Sequence, residues 1–266
     1  MELFVRKRGD ANKHLIILHG LYGSGDNWLS IANKFSDEYT VHLPDLRNHG
    51  KSPHHNVHTY QAMSDDIFDY VEKLNIKSFS LAGHSMGGKV AMFFAKKHPA
   101  MLEKLIILDI SPRTYHQLNE ASNHSLFHLN MMSFLLNSGV EKAQTLSEAE
   151  NILMSGLNNL RLSQFMLKNL ERTEFGMKWR INLNDLIKSL PEISEGLNPD
   201  DFIDRKILVP SLFLRGSKSD YLPEEDNKLV KFIFPNSKII TINNAGHWLH
   251  AEQPKEVFKE MKAFLE

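Results

Sequence analysis

The residue best placed to do chemistry is Ser85, in the stretch Phe79-Ser80-Leu81-Ala82-Gly83-His84-Ser85-Met86-Gly87-Gly88. The stretch opens as a short apolar run with the character of a buried strand. It crosses Gly83-His84-Ser85-Met86-Gly87 and continues from Lys89 to His98 with apolar residues at helical spacing. A serine between two glycines at a strand-to-helix turn is a nucleophile elbow. Its hydroxyl must stand exposed on a sharp, strained turn. The flanking positions therefore cannot carry bulky side chains, and Gly83 and Gly87 supply that room. The helix that follows aims its free N–H groups and the positive end of its dipole at the reacting centre.

A serine hydroxyl needs a base, and the base needs an orienting acid. Chains with this elbow carry them in the order serine, acid, histidine. His247, in Asn243-Asn244-Ala245-Gly246-His247-Trp248, follows the last strand-like run and precedes the last helical one, which marks it as the base. A developing oxyanion needs two backbone donors. One is the N–H of Met86, directly after the serine. The other is the N–H of Leu21 in His19-Gly20-Leu21, where Gly20 lets the backbone approach closely. His19 reads as a structural hydrogen-bonding residue. Gly20, His84 and Trp248 are expected to border the substrate.

Six strand-like runs must position these groups. They are His14–Gly20, Thr40–Leu46, the run into the elbow, Lys104–Ile110, Ile207–Leu214 and Lys238–Ile242. Between and after them, helical spacing predicts helices over Asn27–Phe35, Thr59–Leu74, Glu224–Phe234 and Pro254–Leu265. Strands alternating with helices imply an α/β architecture, a mostly parallel sheet covered by helices on both faces. Glu2 to Arg8 alternate weakly and predict an antiparallel edge strand. From Ser111 to about Asp201 the strand signal vanishes in favour of amphipathic helical patterns rich in methionine, leucine and phenylalanine. The expected organisation is a core domain of residues 1–112 and 202–266, with a helical cap inserted at 113–201.

Composition narrows the function classes. At 266 residues the chain can bury a sizeable core in one domain and still carry an insertion. A formal net charge of -1 gives no global attraction to nucleic acid or anionic lipid. The absence of cysteine excludes disulfides, thiolate metal sites and a cysteine nucleophile. Met1-Glu2-Leu3-Phe4-Val5-Arg6 lacks an apolar signal core and no apolar run is long enough to span a membrane, so a soluble cytoplasmic protein is expected. His54, His55 and His58 crowd one loop without a carboxylate at ligand spacing, and a solvated turn is expected there rather than a metal. Asp45 and Arg47 read as a turn residue and a salt-bridge partner.

His19-Gly20, Pro44-Asp45-Leu46-Arg47-Asn48-His49-Gly50-Lys51-Ser52, Gly83-His84-Ser85-Met86-Gly87-Gly88 and Gly246-His247 together resemble an α/β-hydrolase. The Asp45-Leu46-Arg47-Asn48-His49-Gly50 form is similar to the YbfF-type esterases and abhydrolase-11-like proteins. So is the earlier run of Leu18-His19-Gly20-Leu21, Gly23-Ser24 and Asn27-Trp28. The match covers about Leu15 to Ile110 and Val209 onwards. Many members of the fold place the acid three residues past a glycine after the penultimate strand. Here Ser219 stands at that distance from Gly216, with Asp220 one residue late. The other candidate is Asp109, closing Lys104–Ile110, because adjacent strand ends converge on one rim and a buried carboxylate needs a partner. The resemblance to YbfF-type enzymes implies Asp109 as the acid and Ser219 as an auxiliary hydrogen-bonding residue, with Asp220 the alternative.

The function so implied is a serine hydrolase that cleaves small-molecule carboxylic esters, and acyl-thioesters besides, through an acyl-enzyme without metal or organic cofactor. Carbon–carbon hydrolases and cofactor-free haloperoxidases of the fold use the same triad and stand as the alternative, followed by a non-catalytic binding member. Phe127, Met131, Met132, Phe134 and Leu135 form one apolar cluster of the cap; Phe165, Met166, Leu167, Met177 and Trp179 form another. Most must pack as core, and the remainder line an acyl pocket. No pattern in the sequence speaks to oligomeric state.

Overall fold

The computed structural model describes residues 1–115 and 124–266. Its strands are β1 (Val5–Arg8), β2 (His14–Leu18), β3 (Thr40–Pro44), β4 (Phe79–His84), β5 (Leu102–Leu108), β6 (Leu170–Thr173), β7 (Gly176–Trp179), β8 (Ser211–Gly216) and β9 (Ser237–Ile242). Seven of them form one sheet in the order β1-β3-β2-β4-β5-β8-β9. β1 pairs antiparallel with β3, and every other pairing in this sheet is parallel. Every residue of β4, and all of β2 beyond His14, is buried, which is why both read as unbroken apolar runs rather than alternating ones.

Helices cover both faces. On one side lie Tyr60–Lys73 and Met86–Lys97, bringing Met63, Ile67, Val71, Val90 and Phe94 onto the sheet. On the other, Leu29–Phe35 and Pro254–Leu265 bring Ile31, Phe35, Val257 and Met261. Start signals match the sequence. The Thr59 hydroxyl accepts from Ala62 N, and Pro254 occupies the first position of the last helix, where its missing N–H costs nothing. Removing a fully buried aromatic such as Phe94 by substitution to alanine costs about 3–5 kcal/mol.

Between β5 and β8 the chain leaves the sheet through helices His124–Asn137, Leu146–Leu157, Leu160–Leu167, Leu183–Lys188 and Leu190–Ile193. The expectation of helices alone is corrected here: β6 and β7 form an antiparallel hairpin, with Gly176 at φ 137° beside the turn. Four-residue strands are too short to register as an alternation. Met177 and Trp179 therefore belong to a strand, though both are buried. Met131, Met132, Leu135 and Met166 join the core that covers one face of the sheet. Phe127, at 48% exposure, does not.

Candidate active site

β4 ends at His84 and the next helix begins at Met86, so Ser85 alone makes the turn. Its φ of 52° and ψ of -119° are strained for a residue with a side chain. Packing enforces them. A Cβ at Gly83 would collide with the Gly87 carbonyl, and one at Gly87 would lie 2.5 Å from the His19 oxygen and 2.6 Å from that of Leu18. The helix thus meets the strand ends at backbone contact, which only glycine allows. Ser85 N also donates to Leu108 O at 3.0 Å, tying the turn to β5.

Ser85 Oγ lies 2.9 Å from His247 Nε2, and His247 Nδ1 lies 2.8 Å from Asp109 Oδ2. A carboxylate only accepts, so Nδ1–H donates to Asp109 and Nε2 is left to accept from the serine hydroxyl. Asp109 follows β5, has φ 50° and is fully buried. Its Oδ1 accepts from Gly216 N at 2.8 Å, and its Oδ2 also accepts the Ser219 hydroxyl. Burial pushes the Asp109 carboxyl upward, and the hydrogen bonds from Ser219 and Gly216 oppose that shift. The net position is about 7, so the hydrogen bonds from Ser219 and Gly216 offset burial only in part. Burial pushes the His247 imidazole down to about 3, so the ring rests neutral.

The loop carrying His247 is gripped from two sides. The Tyr221 ring stacks on the imidazole with centroids 3.7 Å apart. Beneath, His84 Nε2–H donates to the His247 carbonyl at 2.7 Å. His84 therefore holds the loop, although its place in the cavity wall is the one expected of a substrate-bordering residue. Asp220 is 59% exposed and faces His124 at 3.6 Å, whereas Asp109 is the carboxylate in contact with the imidazole.

The loop after β2 comes up against the serine. A Cβ at Gly20 would stand 3.2 Å from that of Ser85 and 2.9 Å from His84 Nδ1. Buried His19 pins this loop, donating from Nδ1 to Gly20 O at 2.8 Å and accepting Leu46 N at Nε2 at 2.9 Å. Leu21, Met86 and Ser85 border one small space together. Asp45 accepts from Gly25 N at 2.7 Å and Lys51 N at 2.9 Å, and Arg47 pairs with buried Asp66 at 2.7 Å. Both are structural, as the sequence suggested.

Above Ser85 lies a cavity of about 340 Å³, with Trp248, Phe165, Met131 and Leu162 in its wall. His128 bridges two tyrosines at its edge, with Nδ1 3.1 Å from Tyr22 OH and Nε2 3.3 Å from Tyr221 OH. Sequence reasoning missed Tyr22, His128 and Tyr221, which are far apart in the chain and share no spacing signal. Among the described residues no group of three or more His, Cys, Asp or Glu side chains is placed to hold a metal ion. Of the three loop histidines, His54 and His55 are exposed. His58 corrects the expectation of a solvated turn: it is buried, 5.7 Å from the His49 ring.

Residues 13–254 match the family described as the alpha/beta hydrolase fold. The chain belongs to that family. Esterase YbfF of Escherichia coli is 31% identical over 100% of this chain and 99% of its own length. The sn-1-specific diacylglycerol lipase ABHD11 of Danio rerio is 36% identical over 97% of this chain and 80% of its own. Among solved structures, a marine microorganism esterase is 43% identical, with a TM-score of 0.93 over 99% of both chains. The motif resemblance to the YbfF-type esterases therefore extends across nearly the whole chain, and these α/β-hydrolase relatives support an ester hydrolase as the coarse function. Among the described residues no helix is long and apolar enough to cross a membrane.

Proposed function

We propose that this α/β-hydrolase cleaves small-molecule carboxylic esters, and acyl-thioesters as a second class, through an acyl-enzyme on Ser85. The observation that carries the reading is the unbroken hydrogen-bonded line Ser85 Oγ, His247 and Asp109 at 2.9 and 2.8 Å. Ser85 Oγ bonds to the acyl carbon as its proton passes to His247 Nε2. The carbonyl electrons move onto the oxygen, where the amides of Leu21 and Met86 donate to it. Collapse breaks the bond to the alcohol, which leaves with the proton from His247. Water then repeats the sequence: His247 takes its proton, hydroxide adds to the acyl carbon, and Ser85 Oγ departs with that proton. Asp109 orients the imidazole and stabilises the imidazolium, and Ser219 and Gly216 hold the carboxylate. The insertion at 113–201 acts as a cap that shapes the substrate cavity over a core of 1–112 and 202–266.

A fluorophosphonate probe should label the wild type and leave Ser85→Ala unlabelled. Equal labelling of both would remove Ser85 from the mechanism. A panel of nitrophenyl esters, acyl-thioesters and peroxide-dependent halogenation separates the ester reading from the carbon–carbon hydrolase and haloperoxidase chemistries of the fold. Ester turnover abolished in Ser85→Ala is the outcome the site geometry supports.

A further inference from the structure

The turn that carries the Leu21 amide is built against its own backbone preference. Gly23 N donates to Gly20 O at 2.9 Å, closing four residues around Leu21 and Tyr22. Of these two central residues only Tyr22 has a positive φ, at 63°. That is the pattern of a type II turn, whose third position favours glycine. A tyrosine there is strained and persists only where its surroundings hold it.

The surroundings hold it at both peptides. His49 Nδ1–H donates to Arg47 O, which leaves Nε2 to accept from Tyr22 N at 3.2 Å. The Tyr22 carbonyl accepts from Asn169 Nδ2 at 2.7 Å. Among the described residues the Leu21 N–H has no acceptor, so it stays free to meet an oxyanion. His49 lies in the loop after β3, but Asn169 belongs to the segment between β5 and β8, just before β6. Asn169 is buried, and its own backbone is fixed: N donates to Met166 O at 2.9 Å, and O accepts from Arg180 N at 2.7 Å. The other neighbour of Nδ2 is the Phe165 carbonyl at 3.4 Å. Carbonyl oxygens only accept, so this side chain serves the turn as a donor.

Resting on the ester-hydrolase reading above, we propose that Asn169 is a positioning residue for the oxyanion side of the site. Its amide holds the Tyr22 carbonyl, keeps the turn closed and thereby fixes the Leu21 N–H. Without that bond a buried carbonyl loses its donor and Tyr22 can relax to negative φ. Relaxation breaks the Gly20–Gly23 closure and turns the Leu21 peptide. The inserted segment thus supports the chemistry as well as walling the cavity.

The test compares the wild type with Asn169→Ala and with Asn169→Leu, which nearly refills the space without a donor. Three readouts are taken: 4-nitrophenyl acetate kinetics, the endpoint of fluorophosphonate labelling, and inhibition by a phenyl trifluoromethyl ketone. Ser85 Oγ bonds to the ketone carbon, its proton passes to His247 Nε2, and the carbonyl electrons move onto the oxygen. The Ki therefore reports the oxyanion contacts, whereas the labelling endpoint counts intact sites. A folded variant should keep the full endpoint and a KM within about twofold of wild type. Its kcat should fall and its Ki rise by about tenfold each, short of the roughly 10²–10³-fold that loss of an oxyanion donor costs. In a Tyr22→Gly background the positive φ carries no strain, so Asn169→Ala should cost only about twofold. Where Tyr22→Gly does not fold, the paired change in kcat and Ki decides. Unchanged kcat and Ki, a fall in kcat without a rise in Ki, or an equal cost in the Tyr22→Gly background would each overturn the proposal. So would failure of both Asn169 variants to fold, which would assign the bond to stability alone. A wild type without ester turnover or fluorophosphonate labelling would instead defeat the ester-hydrolase reading itself.

Discussion

The ring of Tyr221 lies face to face on the imidazole of His247, with centroids 3.7 Å apart and planes 19° from parallel. In the proposed mechanism this imidazole passes a proton between Ser85 and a leaving group, and such a fixed plate holds its ring in position. Aromatic stacking of this kind contributes about 0.5–1.5 kcal/mol beyond area burial. Tyr221→Leu should lower kcat up to about tenfold with a smaller change in KM. Tyr221→Phe keeps the plate and should recover most of the loss. Equal kcat values for the Leu variant and the wild type would show that the stack is idle.

The acid can be tested by a short series. Asp109→Asn should fold and lose about 10⁴-fold in turnover, because an amide neither stabilises the imidazolium nor enforces the correct tautomer. Asp220→Asn should stay near wild type, since that carboxylate is 59% exposed and turned toward His124. Ser219→Ala removes one hydrogen bond from Asp109, worth about 1 kcal/mol or roughly fivefold in rate. An inactive Asp220→Asn beside a near-normal Asp109→Asn would return the acid to the end of β8.

Stability should fall steeply in mild acid. Burial pushes His19 down to about 4 and His42, His49 and His128 to about 3. Below the free value near 6.5, the unfolded chain takes up protons that these folded imidazoles refuse. Each therefore withdraws stability as the pH falls from about 6.5 toward its folded pKa. Urea unfolding at neutral pH and in mildly acidic buffers should show the midpoint dropping with acidity. A midpoint that stays level across that window would contradict the buried, neutral assignment.

His128 offers a double-mutant test. His128→Leu leaves the buried Tyr22 hydroxyl without its ring partner, which costs about 1–3 kcal/mol. Adding Tyr22→Phe removes the orphaned group, so the double variant should be more stable than His128→Leu alone. Calorimetric melting of the three proteins reads this directly. Strictly additive losses would mean that the hydroxyl had found another partner.

The sheet was legible because β2 and β4 are buried on both faces, leaving continuous apolar runs. The elbow was legible because its backbone contacts tolerate only glycine at positions 83 and 87. The reach of Asp109 to His247 was legible only as one of two possibilities, since a residue 138 positions away in sequence carries no spacing signal. The β6–β7 hairpin escaped notice because four residues are too few for an alternation to stand out against helical neighbours. Tyr22, His128 and Tyr221 escaped for a different reason: folding alone brings them together, and locally each reads as an ordinary aromatic in a loop or on a helix.

The hydrogen bond from Ser85 N to Leu108 O joins the elbow to the strand whose next residue is Asp109. The proposed nucleophile and acid thus ride on neighbouring central strands as one rigid piece. His247 hangs from β9, the edge strand, whose middle residues are half-exposed or exposed. β9 is paired with β8 along all six of its residues, so the third member of the proposed triad is anchored from the rim of the sheet while the other two share its centre.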